Sequence, residues 1–382
     1  METSSLYTFL PLAFLLLTLK LFSSWLKRPK NLPPSPPSIP ILGHLHLIKR
    51  PFHQTLHSLS QSYGSSAEEC CTKNDTVLAN RPSSVAANQI GYGSTVVTMA
   101  PYGDHWRNLR RICTLEIFSS ACLNSFLPIR MDEIKRLLLK LNKRTSSFCD
   151  DFTKVELKSM FLEMTFNIIV RMLTGKRDYE KKVSRLGKRS DEFLQNLIEE
   201  RRGSHKIGGG GESRDTVLDH LLSLQETQPE FYTDEIIKGL ILVMLIAGTD
   251  TSGLAIEWGM SYLLNHPLSL KIATEKLDSV IGQERLIDET DIAKLSYLSN
   301  ITSTSTHVIT GLHDRRRACP GANMAQRVVT VTLGSLIQCF EWKRISEELV
   351  DMTEGEGMNM PKVVSLEAMC KPRKIMARIA EH

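Results

Sequence analysis

The sequence lacks paired cysteine spacing. Its eight cysteines, Cys70, Cys71, Cys113, Cys122, Cys149, Cys319, Cys339 and Cys370, contain no CxxC, and adjacent Cys70 and Cys71 have poor geometry for a mutual bridge. That disfavours a disulfide framework and points to reduced thiols in a cytosol-facing domain. Also missing is a concentrated basic patch interleaved with aromatics. A net charge of +5 over 382 residues, with 7 % aromatics, gives no reason to expect nucleic-acid binding. The modest excess suits an anionic membrane surface or an acidic protein partner. There are no internal repeats. The stretch Ile207-Gly-Gly-Gly-Gly211 lacks the Lys-Ser/Thr of a phosphate loop and follows no strand, so it reads as a flexible surface connection. Strand-like runs are few, at 94–99 (STVVTM) and near 362–366.

Apolar runs, in contrast, are long. Leu6 to Leu26 holds twenty-one residues with Lys20 as its only charge. At helical rise this is roughly 30 Å, about one hydrocarbon thickness. Lys27, Arg28 and Lys30 follow, while the N-terminal side carries only Glu2, which leaves the remainder of the chain in the cytosol. A cleaved signal peptide is the competing reading, against which stand an uncharged n-region and no small-x-small cleavage site. Five prolines between Asn31 and Pro40 then favour a stiff, extended spacer. The expected organisation is a single-pass membrane anchor over 1–27, a basic, Pro-rich hinge over 28–45 and a globular body over 46–382.

The body reads as mainly α. Apolar residues recur at three and four over 130–141 and 215–224, and further helices are expected at 268–281 and 325–340. The run from Asp234 to His266, ended by Pro267, predicts about 50 Å of helix. In its middle stands Ala247-Gly-Thr-Asp-Thr-Ser252, all but the first poor helix formers. A local violation inside a consistent helix points to a functional site. Small Ala247 and Gly248 would open a groove. Thr251 would hydrogen-bond a bound oxygen species or water, and Asp250 would relay protons. A polar kink in a core helix is the bland alternative, and a second membrane span is another, opposed by Lys238 and Asp250.

A second constellation is Arg315-Arg-Arg-Ala-Cys319-Pro-Gly-Ala322, leading into an apolar helix. A cysteine just before a helix start, beside three arginines, is placed to hold a thiolate. No neighbouring Cys or His completes a zinc site. A single axial thiolate is what haem iron uses for O–O cleavage, while one buried cysteine among eight is the bland reading.

Together these two motifs resemble the oxygen-binding helix and cysteine loop of cytochromes P450. Trp106-Arg-Asn-Leu-Arg110 resembles that family's W-x-x-x-R pair, and the anchor with its Pro-rich hinge resembles the microsomal branch. Leu78-Ala-Asn-Arg-Pro82, Ala100-Pro-Tyr-Gly-Asp104, Leu263-Leu-Asn-His-Pro267 and Leu336-Ile-Gln-Cys-Phe-Glu-Trp342 resemble plant members that hydroxylate isoflavones and related phenolics. The resemblance implies a cytochrome P450 fold, short of much of its small β-sheet, and heme b as cofactor. Cys319 would be the iron ligand, and Thr251 and Asp250 would handle protons. Ala247 and Gly248 would form the oxygen groove. Trp106, Arg110 and Arg317 would hold the propionates, with Gly321 also at the cofactor. It further implies O2 and a small hydrophobic substrate, and electrons from NADPH-cytochrome P450 reductase at the endoplasmic reticulum membrane.

The chain departs from the family at several points. Thr304 and His307 stand where the E-x-x-R pair belongs, and Leu312 and Arg315 replace the Phe and Gly that open the cysteine loop. Arginine is a poor substitute where a tight turn needs positive φ. Three joins read as shortened: after Gly64, after Tyr179 and before the cysteine loop. They resemble skipped coding segments and leave open an alternative class, a membrane-anchored remnant or interaction protein without catalysis.

Overall fold

In the computed structural model, the residues described are 52–63, 91–145, 151–177, 190–206, 216–302 and 316–381 except 358, with scattered positions between 15 and 81. Helices follow in the order α1 (Phe52–Tyr63), α2 (Asp104–Arg111), α3 (Ser120–Ser125), α4 (Leu127–Thr145), α5 (Lys158–Thr174), α6 (Ser190–Lys206), α7 (Val217–Thr227), α8 (Asp234–Asn265), α9 (Pro267–Val280), α10 (Ala322–Cys339) and α11 (Ile375–Glu381). Strands β1 (Thr153–Glu156), β2 (Phe340–Lys343) and β3 (Glu367–Pro372) form one antiparallel sheet, ordered β1-β3-β2. The fold is thus mainly α with a small sheet, as expected. Two compact units, Met1–Asp75 and Thr76–His382, divide the chain. In the first, Leu15 and Thr18 are helical. The rest of the expected anchor lies outside the described residues, as do 207–211, the shortened joins and Thr304, His307, Leu312 and Arg315.

The second unit is organised around α8. Thr233 caps its start, Asp234 and Glu235 favour its positive end, and Pro267 stops its propagation. It is long and apolar enough to cross a membrane by length and composition. Yet Ile237, Ile241, Ile256, Met260 and Leu263 are buried in the protein core, which bears out the reading as a core helix. Helix α5 approaches it unusually closely. A Cβ on Gly248 would stand 2.7 Å from Ile169 Cδ1, and one on Gly253 would stand 2.9 Å from Leu162 Cδ2. Thr165 Oγ1 donates to the Thr249 carbonyl across the same seam at 3.0 Å. Glycine at 248 therefore lets two helices pack, at a cost of about 1 kcal/mol in helix propensity.

Helix α10 is held from two sides. Gln338 donates to the Gly282 and Arg285 carbonyls and accepts from Ile287 N–H, which fixes the 282–287 loop. On the other side, Glu289 takes a bidentate pair from fully buried Arg130 of α4 at 2.5 and 2.8 Å, and a third bond from Arg327 of α10 at 3.1 Å.

The structure corrects two strand expectations. Residues 94–99 fold as turns, with Thr95 N–H bonded to Gly91 O and Ala100 N–H to Val96 O. Positive φ at Tyr92, Gly93 and Ser94 breaks any strand, and the Val97 carbonyl is taken by the Trp106 indole. Near 362–366, Lys362 makes only an isolated bridge to Glu354, and β3 starts at Glu367. There the Leu366 N–H donates instead to Glu257 Oε1 at 2.9 Å.

Glu257 itself is fully buried, and its Oε2 has no hydrogen-bond partner among the described residues. Burial raises its pKa, helped by Glu156; the Leu366 N–H, Lys158 and Lys362 pull the other way. The folded state therefore holds this proton more tightly than the unfolded chain. Stability from this group is full below about pH 4.3, the ordinary glutamate value, and is lost as pH rises through the folded pKa. Glu257→Gln keeps the acceptor for Leu366 and removes the charge. Relative to wild type, its melting temperature is expected to be higher at pH 8 than at pH 5. An equal difference at the two pH values would refute the assignment.

Candidate active site

Helix α8, helix α2 with the π-helical turn that follows it (Ile112–Ile117), and the segment 317–321 before α10 enclose a cavity of about 310 Å³. This is within the roughly 300–1,000 Å³ of small-molecule sites. From α8, Met244, Ala247, Gly248, Thr251 and Ser252 border it, so the expected polar interruption does lie on a cavity wall. The Thr251 hydroxyl donates to the Ala247 carbonyl one turn back, at 2.5 Å. Asp250 is exposed and is not among the cavity-lining residues, since one residue turns the helix by about 100°. Its carboxylate thus needs no buried partner.

Cys319 borders the same cavity and is exposed, two residues before the Gly321 that caps α10. A Cβ on Gly321 would stand 3.6 Å from Phe118 Cζ and 4.0 Å from Cys319 Sγ, ordinary contacts at a φ of −88°. Glycine there is not demanded by backbone strain. Arg110 donates to the Ala318 carbonyl, tying α2 to the cysteine segment. Trp106 is buried, donates to Val97 O at 3.1 Å, and has the Arg317 guanidinium 4.6 Å over its ring. Arg317 also donates to the Ala79 and Ala100 carbonyls.

Three guanidiniums, Arg81, Arg110 and Arg317, therefore border one cavity, and none forms an ion pair among the described residues. Burial, and then the charge of Arg81, pulls the Arg317 pKa down. Such a cluster has unspent capacity for an anionic group, and the remaining wall, with Val97, Phe118, Leu240 and Val243, is apolar. A flat apolar body carrying carboxylates suits this wall, and the Cys319 thiol supplies one soft ligand.

The sequence reading thus brings Trp106, Arg110, Ala247, Gly248, Thr251, Arg317, Cys319 and Gly321 to one cavity, and leaves Asp250 outside its lining. It missed Arg81, Cys113, Phe118 and Ser252. Arg81 and Ser252 lay within segments already singled out, whereas Cys113 and Phe118 carry no spacing signal. Cys113 is buried, and burial pushes its thiol up to about 12, against a smaller pull from Arg110.

The Cytochrome P450 family model matches residues 33–186 and 176–303. Cytochrome P450 81Q32 of Catharanthus roseus is 40 % identical, with 99 % of each chain covered. Isoflavone 3'-hydroxylase of Medicago truncatula is also 40 % identical, covering 96 % of this chain and 97 % of its own. Isoflavone 2'-hydroxylase of Glycyrrhiza echinata is 36 % identical, over 92 % and 94 %. The first alignment runs over 505 residues, 123 more than this chain has, so at least 123 positions fall opposite gaps in it. Internal shortening and family likeness are therefore properties of the same alignment. With a thiol, an arginine cluster and a hydroxyl-bearing helix around one cavity, and matched over nearly its full length, the chain belongs to the cytochrome P450 family of monooxygenases.

Proposed function

We propose that the cavity binds heme b with Cys319 as axial ligand, and that the protein hydroxylates a small hydrophobic or phenolic plant metabolite such as an isoflavone. The observation that carries this is the lining: one exposed thiol, three guanidiniums without carboxylate partners, and an otherwise apolar wall. Arg81, Arg110 and Arg317 would bind the two propionates, with Trp106 packed beneath Arg317. When bound, the haem supplies O2 binding and O–O cleavage, favoured by a thiolate ligand. The protein's own part is positional. Arg110 fixes the cysteine segment through Ala318 O. Thr251 presents an oxygen that accepts hydrogen bonds, because its proton is committed to Ala247 O. Exposed Asp250 sits at the solvent side of the same helical turn and passes protons inward. The apolar wall excludes bulk water. Electrons would come from NADPH through a membrane-bound reductase, with the catalytic unit on the cytosolic side of the endoplasmic reticulum.

Relatives named as isoflavone hydroxylases support the substrate class. The test is the reduced, carbon-monoxide-bound difference spectrum of the protein in microsomes. A red-shifted, thiolate-type Soret band is expected. No such band, with the protein present, would overturn the proposal in favour of a membrane-anchored remnant.

A further inference from the structure

Three arginines tie the cysteine segment to its surroundings, and they are not equivalent. Arg110 donates to the Ala318 carbonyl, and Arg317 donates to the Ala79 and Ala100 carbonyls. Both side chains border the cavity. On the haem reading above, they are also the groups that bind its carboxylates. A guanidinium that turns to a bound anion has fewer N–H groups left for a carbonyl. These two ties therefore compete with the ligand, just when the thiol needs a fixed position.

The third tie has no such conflict. Arg316 Nη1 donates to the Tyr102 hydroxyl at 3.1 Å, and its guanidinium lies 5.4 Å from the centre of the same ring. Neither residue is among those that border the cavity. Tyr102 is itself anchored: its backbone N–H donates to Asn80 Oδ1 at 2.8 Å, and its ring packs on that of Trp106, 5.5 Å away and tilted by 50°. Residues 79–80, 100–102 and 316–318 thus interlock, with Tyr102 at the junction. We propose that Tyr102 is a positioning residue for Cys319. It acts through Arg316, three residues before the thiol, and holds the segment whether or not Arg110 and Arg317 are engaged by a ligand. The inference rests on the haem reading. A neighbour supplies the control: the Arg107 guanidinium also lies 5.6 Å from the Tyr102 ring, but its hydrogen bond goes to Asp104 of its own helix.

The test reads two quantities on the full chain in wild type, Tyr102→Phe, Arg316→Gln, their double variant and Arg107→Gln. One is the ratio, in the reduced carbon-monoxide spectrum, of the thiolate-type band to the shorter-wavelength band of haem that has lost the thiolate. The other is amide hydrogen exchange over residues 316–321. Tyr102→Phe keeps the ring and removes the hydroxyl. Its ratio is expected to fall roughly two- to fivefold, the size of one exposed hydrogen bond to a charged group, and exchange over 316–321 to rise. The double variant should fall no further than Arg316→Gln alone, because both changes cut the same tie. Arg316→Lys, which keeps a charged donor, should restore most of the ratio, and Arg107→Gln should leave it at the wild-type value. A wild-type ratio in Tyr102→Phe, or an equal fall in Arg107→Gln, would overturn the assignment and leave the haem reading intact. Loss of all haem binding in Tyr102→Phe would assign the tyrosine to folding and equally overturn it. No band in the wild type would remove the haem reading, and unchanged exchange over 316–321 in Tyr102→Phe would overturn the tie on its own.

Discussion

Replacing Cys319 with serine is expected to abolish the thiolate-type carbon-monoxide band, while Cys113→Ser leaves it in place. Both sulfurs border the cavity, so proximity alone does not choose between them. Ionisation and access do. Burial pushes the Cys113 thiol up to about 12, which leaves it protonated at neutral pH, and a thiol is a weaker ligand than a thiolate. Cys319 is exposed and belongs to the segment that Arg110 holds in place through the Ala318 carbonyl. A serine hydroxyl at 319 offers neither the softness nor the negative charge that iron takes from sulfur. The measurement is the amplitude of the reduced difference spectrum per mole of protein. A loss of more than tenfold is expected for Cys319→Ser. A persistent band in that variant, or its loss in Cys113→Ser, would exchange the roles of the two residues.

The largest effect on stability is expected from Glu289→Ala. Glu289 is the shared carboxylate of an ion cluster that joins α4 to α10, with side-chain exposures of 0 % for Arg130 and 8 % for Glu289. Removing one partner of a buried pair strands the other, at a cost of about 3–5 kcal/mol. Here the stranded group is Arg130, whose Nη1 already has no partner among the described residues. Replacing Arg130 and Glu289 together by Met removes both charges and should recover most of the loss. Urea unfolding reads this directly: the midpoint falls in Glu289→Ala with little change in slope. A shift worth less than about 1 kcal/mol would show that water compensates the charge. Because Arg327 loses the same partner, haem retention should fall with stability.

How far this was legible in the sequence depended on whether a feature is local. Helix α8 could be bounded because Thr233 and Pro267 mark its ends within a few residues of its apolar pattern. The cavity wall could be placed because Gly248 to Ser252 is an unbroken run of poor helix formers inside an otherwise apolar helix. The segment 94–99 misled because Val96 and Val97 look like a strand locally. What decides their conformation is the Trp106 indole on Val97 O and the positive φ just upstream. Asp250 stands in a helix whose apolar pattern reads as core, yet its carboxylate is exposed, a facing that the apolar pattern alone does not reveal. The Arg130–Glu289–Arg327 cluster had no signal at all, since its first two members are 159 residues apart. Arg81 likewise reaches the site from far along the chain.

The contact between Gly248 and Ile169 has a consequence for how this family could diversify. Where two helices meet with no side chain on one of them, the size of the site is set from the other. Ile169 borders the cavity yet belongs to α5, whereas the hydroxyls belong to α8 and the Cys319 thiol to the segment before α10. Trimming it to valine or alanine would deepen the chamber and leave the sequence of the hydroxyl-bearing helix untouched. On the proposed reading, one determinant of substrate size would then lie on a helix other than the one that bears the hydroxyls, and could drift under selection while that helix stays fixed.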